Sequence, residues 1–205
     1  MGFYHHYVFP FVMDLALSSR VYRKPRQRTL ARASGRILEI GFGTGMNLQY
    51  YPPQVKRIEA IDPDVDLDRY SQRRMQASPI EVDFHHLDAE HLPFAAESFD
   101  TVVCTLTLCT IPDAAHALAE VRRVLKPGGQ FLFLEHGLSP DPSVARWQHR
   151  LTPIQRRLVG GCNLDRDTVP LIAASGLRVR DVEHYYLRRM PRLVGYMTEG
   201  SAVKA

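Results

Sequence analysis

The stretch ILEIGFGTGMN, residues 37–47, decides how the rest of this sequence is interpreted. Its apolar start is typical of a buried strand, and glycines at positions 41, 43 and 45 follow directly. Glycines at such a junction let the backbone turn tightly and let a ligand approach closely. Because position 46 is methionine, the spacing departs from the GxGxxG fingerprint of pyrophosphate-binding loops. The loop therefore predicts a nucleotide-type cofactor and favours S-adenosylmethionine over a dinucleotide.

Downstream of this loop, short apolar runs alternate with longer amphipathic ones, which is typical of a parallel sheet with crossover helices. We expect an α/β fold: a doubly wound, mostly parallel seven-stranded sheet with helices on both faces and an antiparallel last strand. LRVRDVEHYYL and GYMTEGSAVK are expected to form the closing strand pair. The other predicted strands are RILEI (36–40), RIEAI (57–61), IEVDFHH (80–86), TVVCTL (101–106) and QFLFLEH (130–136).

Helical periodicity is clearest in DAAHALAEVRRVL (113–125), and the KPGG that follows is expected to end this helix and turn the chain. Residues 137–165, with three prolines, do not fit the alternation, and we expect them to form an acceptor-side insertion. The predicted organisation is an N-terminal helical segment, 1–35, followed by one α/β domain, 36–205.

The N-terminal segment is apolar first and basic afterwards. Residues 1–19 are interrupted by Pro10 and Asp14, so they predict one or two short amphipathic helices that cover the core, form a lid or lie in a membrane interface. Residues 20–36 hold seven cations and no acid, which indicates either a solvated, partly helical linker or a contact with an anionic surface. Zinc-finger and RNA-recognition signatures are absent from the sequence, so we expect no nucleic-acid partner.

The length of 205 residues, with 45% hydrophobic and 23% charged residues, suits one substantial core. Three cysteines, at positions 104, 109 and 162, cannot build a disulfide framework, so we expect a reduced, cytoplasmic protein. Contact of residues 1–36 with the inner face of a membrane is the alternative. Because the sequence contains neither HExxH nor a Cys/His ligand motif, we expect no metal site.

Acidic residues at strand ends predict the rest of the cofactor site. Asp62 ends the second predicted strand, 21 residues after Gly41, where a carboxylate can accept both ribose hydroxyls. Asp88 follows the third strand and either accepts the adenine amino group or caps a turn, while the Ala89 backbone meets the ring edge. Glu39, inside the first strand, is the acidic residue expected before an S-adenosylmethionine loop.

Four ordered motifs together resemble the class I S-adenosylmethionine-dependent methyltransferases over residues 36–136: LEIGFGTG, AIDP, LDAEHLPFAAESFDTVVCTLTL and EVRRVLKPGGQFLFLEH. The resemblance implies S-adenosylmethionine as cofactor and S-adenosylhomocysteine as product. It also implies a cofactor-binding set drawn from these motifs, namely Glu39, Gly41, Gly43, Gly45, Asn47, Asp62, Pro63, Asp88, Ala89, Cys104 and Thr105.

A narrower resemblance, to the microsomal alkyl thiol S-methyltransferases, adds GTGMNLQYYPP, VVCTLTLC, WQHRLTP and GGCNLDRDT. It implies a small, apolar acceptor, and a thiol is the leading candidate. Similar sequences also resemble phospholipid N-methyltransferases and quinone C-methyltransferases, so an amine or a carbon acceptor is the alternative. Members of the thiol family carry an apolar N-terminal membrane anchor, whereas this sequence has the shorter, interrupted segment.

Methyl transfer from a sulfonium is an in-line displacement, so the enzyme must mainly align the acceptor and exclude water. His136 follows the fifth strand at the edge where ligands bind, and we expect it either to assist thiol deprotonation or to be a structural histidine. Trp147 and His149 are predicted to face the acceptor, and Cys162 to be buried and structural. A cofactor-binding module that acts through a partner, and a nicotinamide dehydrogenase, are the remaining alternatives.

Overall fold

The computed structural model describes residues 9–205, and its strands follow the apolar runs of the sequence. The strands are β1 (Ile37–Ile40), β2 (Arg57–Ile61), β3 (Glu81–His85), β4 (Phe99–Thr105), β5 (Leu125–His136), β6 (Arg178–Tyr186) and β7 (Tyr196–Val203). The helices are α1 (Phe9–Leu17), α2 (Arg23–Leu30), α3 (Asp68–Ala77), α4 (Ala114–Val124), α5 (Pro142–Leu158), α6 (Thr168–Ala174) and α7 (Arg192–Gly195). Three 3₁₀ turns span Arg20–Tyr22, Met46–Tyr50 and Val65–Leu67.

The strands form one sheet in the order β3-β2-β1-β4-β5-β7-β6. The pairs among β1 to β5 are parallel, and β7 runs antiparallel between β5 and β6. This arrangement confirms the predicted fold class. The strand order reverses between β1 and β4, and in open α/β sheets ligands bind beyond the carboxyl ends of the strands at such a reversal.

Both faces of the sheet are covered because alternate residues of each central strand point in opposite directions. In β1, Leu38 and Ile40 belong to the apolar cluster that includes α4 and Ile172 of α6, whereas Ile37 belongs to the cluster that includes Leu30 of α2. All four residues of β1 are buried. Glu39 therefore sits in a strand with no exposed position, which makes its carboxyl group unusual.

Helix α4 forms as the sequence predicts, but the segment after it differs from the expectation. Asp113 caps the helix by accepting a hydrogen bond from the His116 amide at 3.0 Å, and the helix ends at Val124. KPGG does not separate the helix from the strand. It lies inside β5, where the register with β4 shifts between Phe99 and Thr101, so these residues form an irregular strand start.

The passage from 137 to 165 also differs from the expected irregular insertion, because most of it is the 17-residue helix α5. Asp141 caps this helix through the Ser143 amide at 2.9 Å, and Pro142 occupies its first turn, where proline is tolerated. Gln148 is fully buried and binds the Ser139 amide at 2.9 Å. The internal Pro153 concealed this helix in the sequence, since proline usually interrupts helical patterns.

The N-terminal segment is helical from residue 9 onward, as expected, and residues 1–8 of the predicted 1–35 segment lie outside the described part. Within residues 9–205, no helix combines the length and apolar character needed to cross a bilayer. Three of the seven cations in the basic run form ion pairs with acidic residues of the sheet. Arg28 pairs with Glu199 at 2.5 Å, Arg32 with Asp181 at 2.7 Å, and Arg36 with Glu59. Much of the run's charge thus fastens α2 and the start of β1 to the sheet.

Candidate functional site

A cavity of about 520 Å³ opens at the carboxyl ends of β1, β2 and β4, where the strand order reverses. Leu87 and Ile111 contribute apolar surface to it, and Val159 and Gly160 approach from the end of α5. Of the residues that the sequence assigned to the cofactor, those lining the cavity are Gly41, Gly43, Asn47, Asp62, Pro63, Asp88, Ala89 and Thr105. Eight of the eleven residues predicted to bind the cofactor therefore line one cavity at this edge of the sheet.

The glycine loop needs its glycines for two separate reasons. Gly41 has a φ of +73°, and a Cβ on it would lie 2.1 Å from the side chain of Thr107. Gly43 also has a positive φ, +54°, yet a Cβ there would meet nothing within 4 Å, because this residue borders the cavity. Position 41 therefore permits close packing of two strand ends, and position 43 leaves room for a ligand.

Asp62 connects the end of β2 to this loop. Its carboxylate accepts hydrogen bonds from the Gly43 amide at 2.7 Å and from the Asp64 amide at 2.9 Å. Burial raises the pKa of Asp62, and these two backbone amides act against that effect. The carboxylate lies in the cavity wall with acceptor capacity left for a diol such as a ribose.

Asp88 caps a turn, which is one of the two roles that the sequence left open, and it also lines the cavity. One carboxylate oxygen, Oδ1, caps the following turn by accepting the amides of Glu90 and His91, each at 3.0 Å. The residue also lines the cavity, next to the buried Ala89. Because Oδ2 is not used in this cap, the carboxylate can still accept a hydrogen bond from a ligand.

Arg26 is a site residue that the sequence did not identify. Its side chain is buried, lines the cavity and donates through Nη1 to Asn47 and, at 3.3 Å, to Thr105. Its Nε has no hydrogen-bond partner within residues 9–205. The helical spacing could have revealed it, because Tyr22 and Leu30 lie four residues before and after position 26 and both are buried on the same face. A buried guanidinium with an unused donor suits an anionic ligand group.

Glu39 lies behind the cavity wall and acts through Asn47. The Asn47 amide donates to Glu39 at 2.9 Å, and the Tyr51 hydroxyl donates to the other carboxylate oxygen at 2.6 Å. Burial raises the pKa of Glu39 to about 7, although these hydrogen bonds and Arg26 oppose the shift. The carboxyl group therefore orients a residue of the wall and does not line the cavity itself.

Glu39→Gln should make the stability of the protein less dependent on pH. The pKa of Glu39 is about 7 in the folded state and 4.5 ordinarily, so its favourable contribution is complete below 4.5 and is lost as the pH rises through 7. At pH 8 that loss is on the order of 3 kcal/mol, from 1.36 kcal/mol per pKa unit. Urea unfolding between pH 4 and 8 should show a shallower decline for the variant. Parallel curves for wild type and variant would contradict this expectation.

Helix α1 covers the cavity, which supports the lid among the three alternatives for this segment. Met13 and Leu17 line the cavity from above. Asp14, between them, pairs with Arg74 of α3 at 2.7 and 3.1 Å, and Arg74 also donates to the Thr44 carbonyl at 2.8 Å. One arginine therefore holds both α1 and the glycine loop.

Asp14→Asn should loosen the lid without removing any cavity-lining group. The bidentate pair is partly buried, so its loss should shift lid opening by about 1 kcal/mol, or roughly fivefold. We expect the dissociation rate of a bound adenosyl ligand to rise by that factor in stopped-flow displacement. The control is Asp83→Asn, which removes the acidic partner of Arg57 at a place far from the lid. Equal rates for both variants would argue against a lid.

Several predicted residues lie elsewhere in the structure. Cys104 is buried beside Glu135, with a sulfur-to-oxygen distance of 3.5 Å, and Gly45 precedes the 3₁₀ turn after the loop. His136 does not reach the cavity either, because its Nε2 lies 3.2 Å from the Cys162 sulfur. That contact is with the loop after α5, so the position of His136 agrees with the structural alternative, although its partner is not the loop that it begins, and it does not agree with a role in thiol deprotonation.

The two predicted acceptor contacts, Trp147 and His149, point away from the cavity. Trp147 is 55% exposed, with the Arg150 guanidinium 5.6 Å from its ring centre. His149 binds Asp165 through Nδ1 at 2.7 Å on the surface. Neither residue contacts the cavity because the segment forms a helix whose exposed side carries both of them. Only Val159 and Gly160, just after the helix, line the cavity.

Glu135 is a second residue that the sequence did not single out. It is fully buried, and one carboxylate oxygen accepts the amides of Thr107 and Leu108, each at 3.0 Å. These contacts fix the loop after β4, in which Leu106 adopts a strained φ of +56° and lines the cavity. An acidic residue at the end of an otherwise apolar strand was the available signal.

Comparisons with known proteins agree with this geometry. A family profile described as a methyltransferase domain matches residues 38–133. The rat thiol S-methyltransferase TMT1B is 34% identical over 181 residues, covering 78% of this chain and 71% of the rat protein. The human thiol S-methyltransferase TMT1A is 33% identical, covering 82% and 70%. The crystal structure of YcgJ from Bacillus subtilis superposes with a TM-score of 0.67 at 25% identity, covering 82% and 72%.

Proposed function

This chain belongs to the class I S-adenosylmethionine-dependent methyltransferases, in the family of the thiol S-methyltransferases, and from that premise we propose that it methylates small, apolar thiols. The chain is an enzyme that uses S-adenosylmethionine. The proposal adds the acceptor class and S-adenosylhomocysteine as the product. Its main support is the cavity at the strand reversal, which joins the glycine loop and Asp62 to an apolar wall.

The residues present fit an adenosyl cofactor. Asp62 would hold the ribose hydroxyls, and Asp88 with the Ala89 backbone would meet the adenine edge. The buried Arg26 lines the cavity, and its guanidinium would pair with the cofactor's carboxylate. When bound, S-adenosylmethionine supplies an electrophilic methyl group on a positively charged sulfur.

The chain's own contribution is alignment and exclusion of water. Met13 and Leu17 of the lid cover the cavity, and the loop held by Glu135 forms the opposite wall. A free thiol has a pKa near ~8.5, so a useful fraction is thiolate at neutral pH without a strong base. We therefore assign no proton transfer to His136, which lies behind the wall beside Cys162.

The apolar lining favours a thiol over the other acceptors that the sequence left open. Leu106, Ile111, Pro112 and Val159 form the part of the wall beyond the loop after β4. An alkyl thiol presents one reactive atom and an apolar remainder, which matches this lining. A phospholipid amine would bring a phosphate as well, and a quinone would bring two carbonyl groups that need partners.

Incubation with labelled S-adenosylmethionine and three acceptor classes tests the proposal. Small alkyl thiols should be methylated, whereas phosphatidylethanolamine vesicles and a demethylated quinone should not be. The Asp62→Asn variant serves as the inactive control for adventitious methylation. Transfer to the lipid amine or the quinone, with none to any thiol, would make the acceptor assignment wrong while leaving the enzyme class intact.

We also propose that the protein is cytoplasmic and touches the inner face of a membrane through α1. The outward side of α1 is apolar, with Phe11 56% and Leu15 64% exposed. Basic residues that the sheet does not engage, among them Arg20, Arg23 and Lys24, lie exposed just after it. Flotation with anionic vesicles should recover the protein at low salt, and Leu15→Glu should reduce the recovery. Equal recovery of both forms would contradict the membrane contact.

A further inference from the structure

Folding brings together three side chains that the methyl-transfer proposal does not use: Cys109, His136 and Cys162. Their sulfur and nitrogen atoms all lie within 4.8 Å of one another. Cys109 lies in the loop after β4, His136 ends β5, and Cys162 lies in the loop after α5. We propose that these three residues form a binding site for a thiophilic divalent cation such as Zn²⁺, independent of the acceptor assignment.

The distances fit a common coordination geometry. With zinc–sulfur bonds of about 2.3 Å and zinc–nitrogen bonds of about 2.0 Å, a tetrahedral site separates two sulfurs by roughly 3.8 Å and sulfur from nitrogen by roughly 3.5 Å. Here the two sulfurs are 3.9 Å apart, and His136 Nε2 is 3.2 Å from the Cys162 sulfur. These two separations lie within a few tenths of an ångström of the tetrahedral values, and the third, between the Cys109 sulfur and the His136 ring nitrogen, is within 4.8 Å.

The protonation of the cluster also suits metal binding. Hydrogen bonds with Cys109 and His136 lower the pKa of Cys162, although burial acts against that effect. Burial lowers the pKa of His136, but the contact with Cys162 outweighs it and raises the pKa. On the metal the two cysteines would be thiolates and His136 a neutral imidazole, so binding of the cation would release the protons that these groups carry beforehand.

The backbone around the cluster is already fixed. The Cys109 carbonyl accepts the Asn163 amide at 2.9 Å and its side-chain Nδ2 at 2.8 Å, so the two cysteine-bearing loops are joined. Arg166 reinforces this junction by donating to the carbonyls of Leu108 and, at 2.6 Å, Ile111. Preorganised ligands lose little freedom when the cation binds.

The position of the cluster predicts what the cation does. Thr110 and Gly160, each within two residues of a cysteine ligand, line the cavity. A cation held by all three side chains would therefore clamp the two loops that form the acceptor-side wall to the end of β5. We assign the cation a structural role in this wall.

Cobalt titration of the reduced protein, without cofactor or acceptor, tests the site. One equivalent of Co²⁺ should produce a thiolate-to-cobalt charge-transfer band, and one equivalent of Zn²⁺ should abolish it. The band should disappear in Cys109→Ser and Cys162→Ser. His136→Gln should keep the band but weaken cobalt binding at least tenfold.

Two control variants establish whether the band arises from these three side chains. Cys104→Ser removes a third buried thiol, and His85→Gln disrupts the other cation-sized cluster, Glu59, Asp83 and His85. Both should retain the band. Near-ultraviolet circular dichroism shows whether each variant is folded. If a variant unfolds, the wild-type protein gives the second measurement: zinc should raise its melting temperature, and a chelator should reverse the rise.

Absence of the band in the reduced wild-type protein would overturn the proposal, as would an undiminished band in the Cys109→Ser/Cys162→Ser double variant. Loss of two hydrogens on peroxide treatment, seen by mass spectrometry in a protein that shows no cobalt band, would assign the pair to a disulfide instead. Because none of these measurements involves methyl transfer, failure of the acceptor proposal leaves them unaffected.

Discussion

Asp62→Asn should weaken binding of S-adenosylmethionine by about 100-fold. The carboxylate holds the Gly43 and Asp64 amides and would accept the ribose hydroxyls, and hydrogen bonds to a charged acceptor contribute about 1.5–3 kcal/mol each. Asparagine keeps the shape but places an NH₂ donor against an N–H donor or a hydroxyl. A loss of about 3 kcal/mol corresponds to the predicted factor. Isothermal titration calorimetry with S-adenosylmethionine measures it directly.

The control for this prediction is Asp83→Asn, on the neighbouring strand β3. Asp83 also carries a carboxylate, but it is solvent-exposed beside Arg57 and outside the cavity. The affinity of this variant for the cofactor should equal that of the wild type. If Asp62→Asn bound S-adenosylmethionine as tightly as this control does, the ribose would have to lie elsewhere, and the assignment of the glycine loop would fall with it.

Arg26→Gln should lower the affinity for S-adenosylmethionine by roughly 30-fold or more, because it removes the buried cation that we assign to the cofactor's carboxylate. Charge-assisted contacts of this kind contribute about 2 kcal/mol or more when buried. The variant should also be less stable, since Glu39 would lose the nearest cation that opposes the rise in its pKa. Arg26→Lys should be intermediate, because lysine keeps the charge without the planar fork.

Two comparisons separate the binding role of Arg26 from its structural one. The double variant Arg26→Gln/Glu39→Gln should recover stability without recovering affinity, because both buried charges are gone. Decarboxylated S-adenosylmethionine should bind wild type and Arg26→Gln equally. If the variant lost affinity for both forms of the cofactor to the same extent, Arg26 would only position Asn47. Arg28→Gln, on the same helix but paired with Glu199, is the matched control.

Local signals were enough to predict the fold and to place the glycine loop and Asp62 at one edge of the sheet. The period of the apolar runs revealed the strands, and the glycines at 41 and 43 with Asp62 lie together at the carboxyl edge as expected. These features are encoded within a few residues of each other or by the position at which a strand ends. Parallel topology then brings the strand ends to one edge of the sheet.

The acceptor side was not predictable in the same way. Trp147 and His149 were plausible contacts while their segment lacked a defined structure, but α5 turns both toward solvent, and only Val159 and Gly160, just after the helix, line the cavity. The irregular start of β5 was missed for a related reason, because KPGG is equally compatible with a turn and with an interrupted strand. In each case the side-chain direction depended on packing against distant elements.

The sequence by itself thus determined the sheet, the cofactor loop and its acidic partner, since periodicity, glycine spacing and strand ends are local properties. Only the tertiary structure placed Arg26 beneath the loop, set Met13 over the cavity and brought Cys109, His136 and Cys162 within 4.8 Å. These residues lie far apart along the chain, on segments whose own patterns suggest only helix, strand or loop. These residues come together only because their segments pack against the same core. Burial of that core fixes how the segments are arranged, and no single stretch of sequence does so.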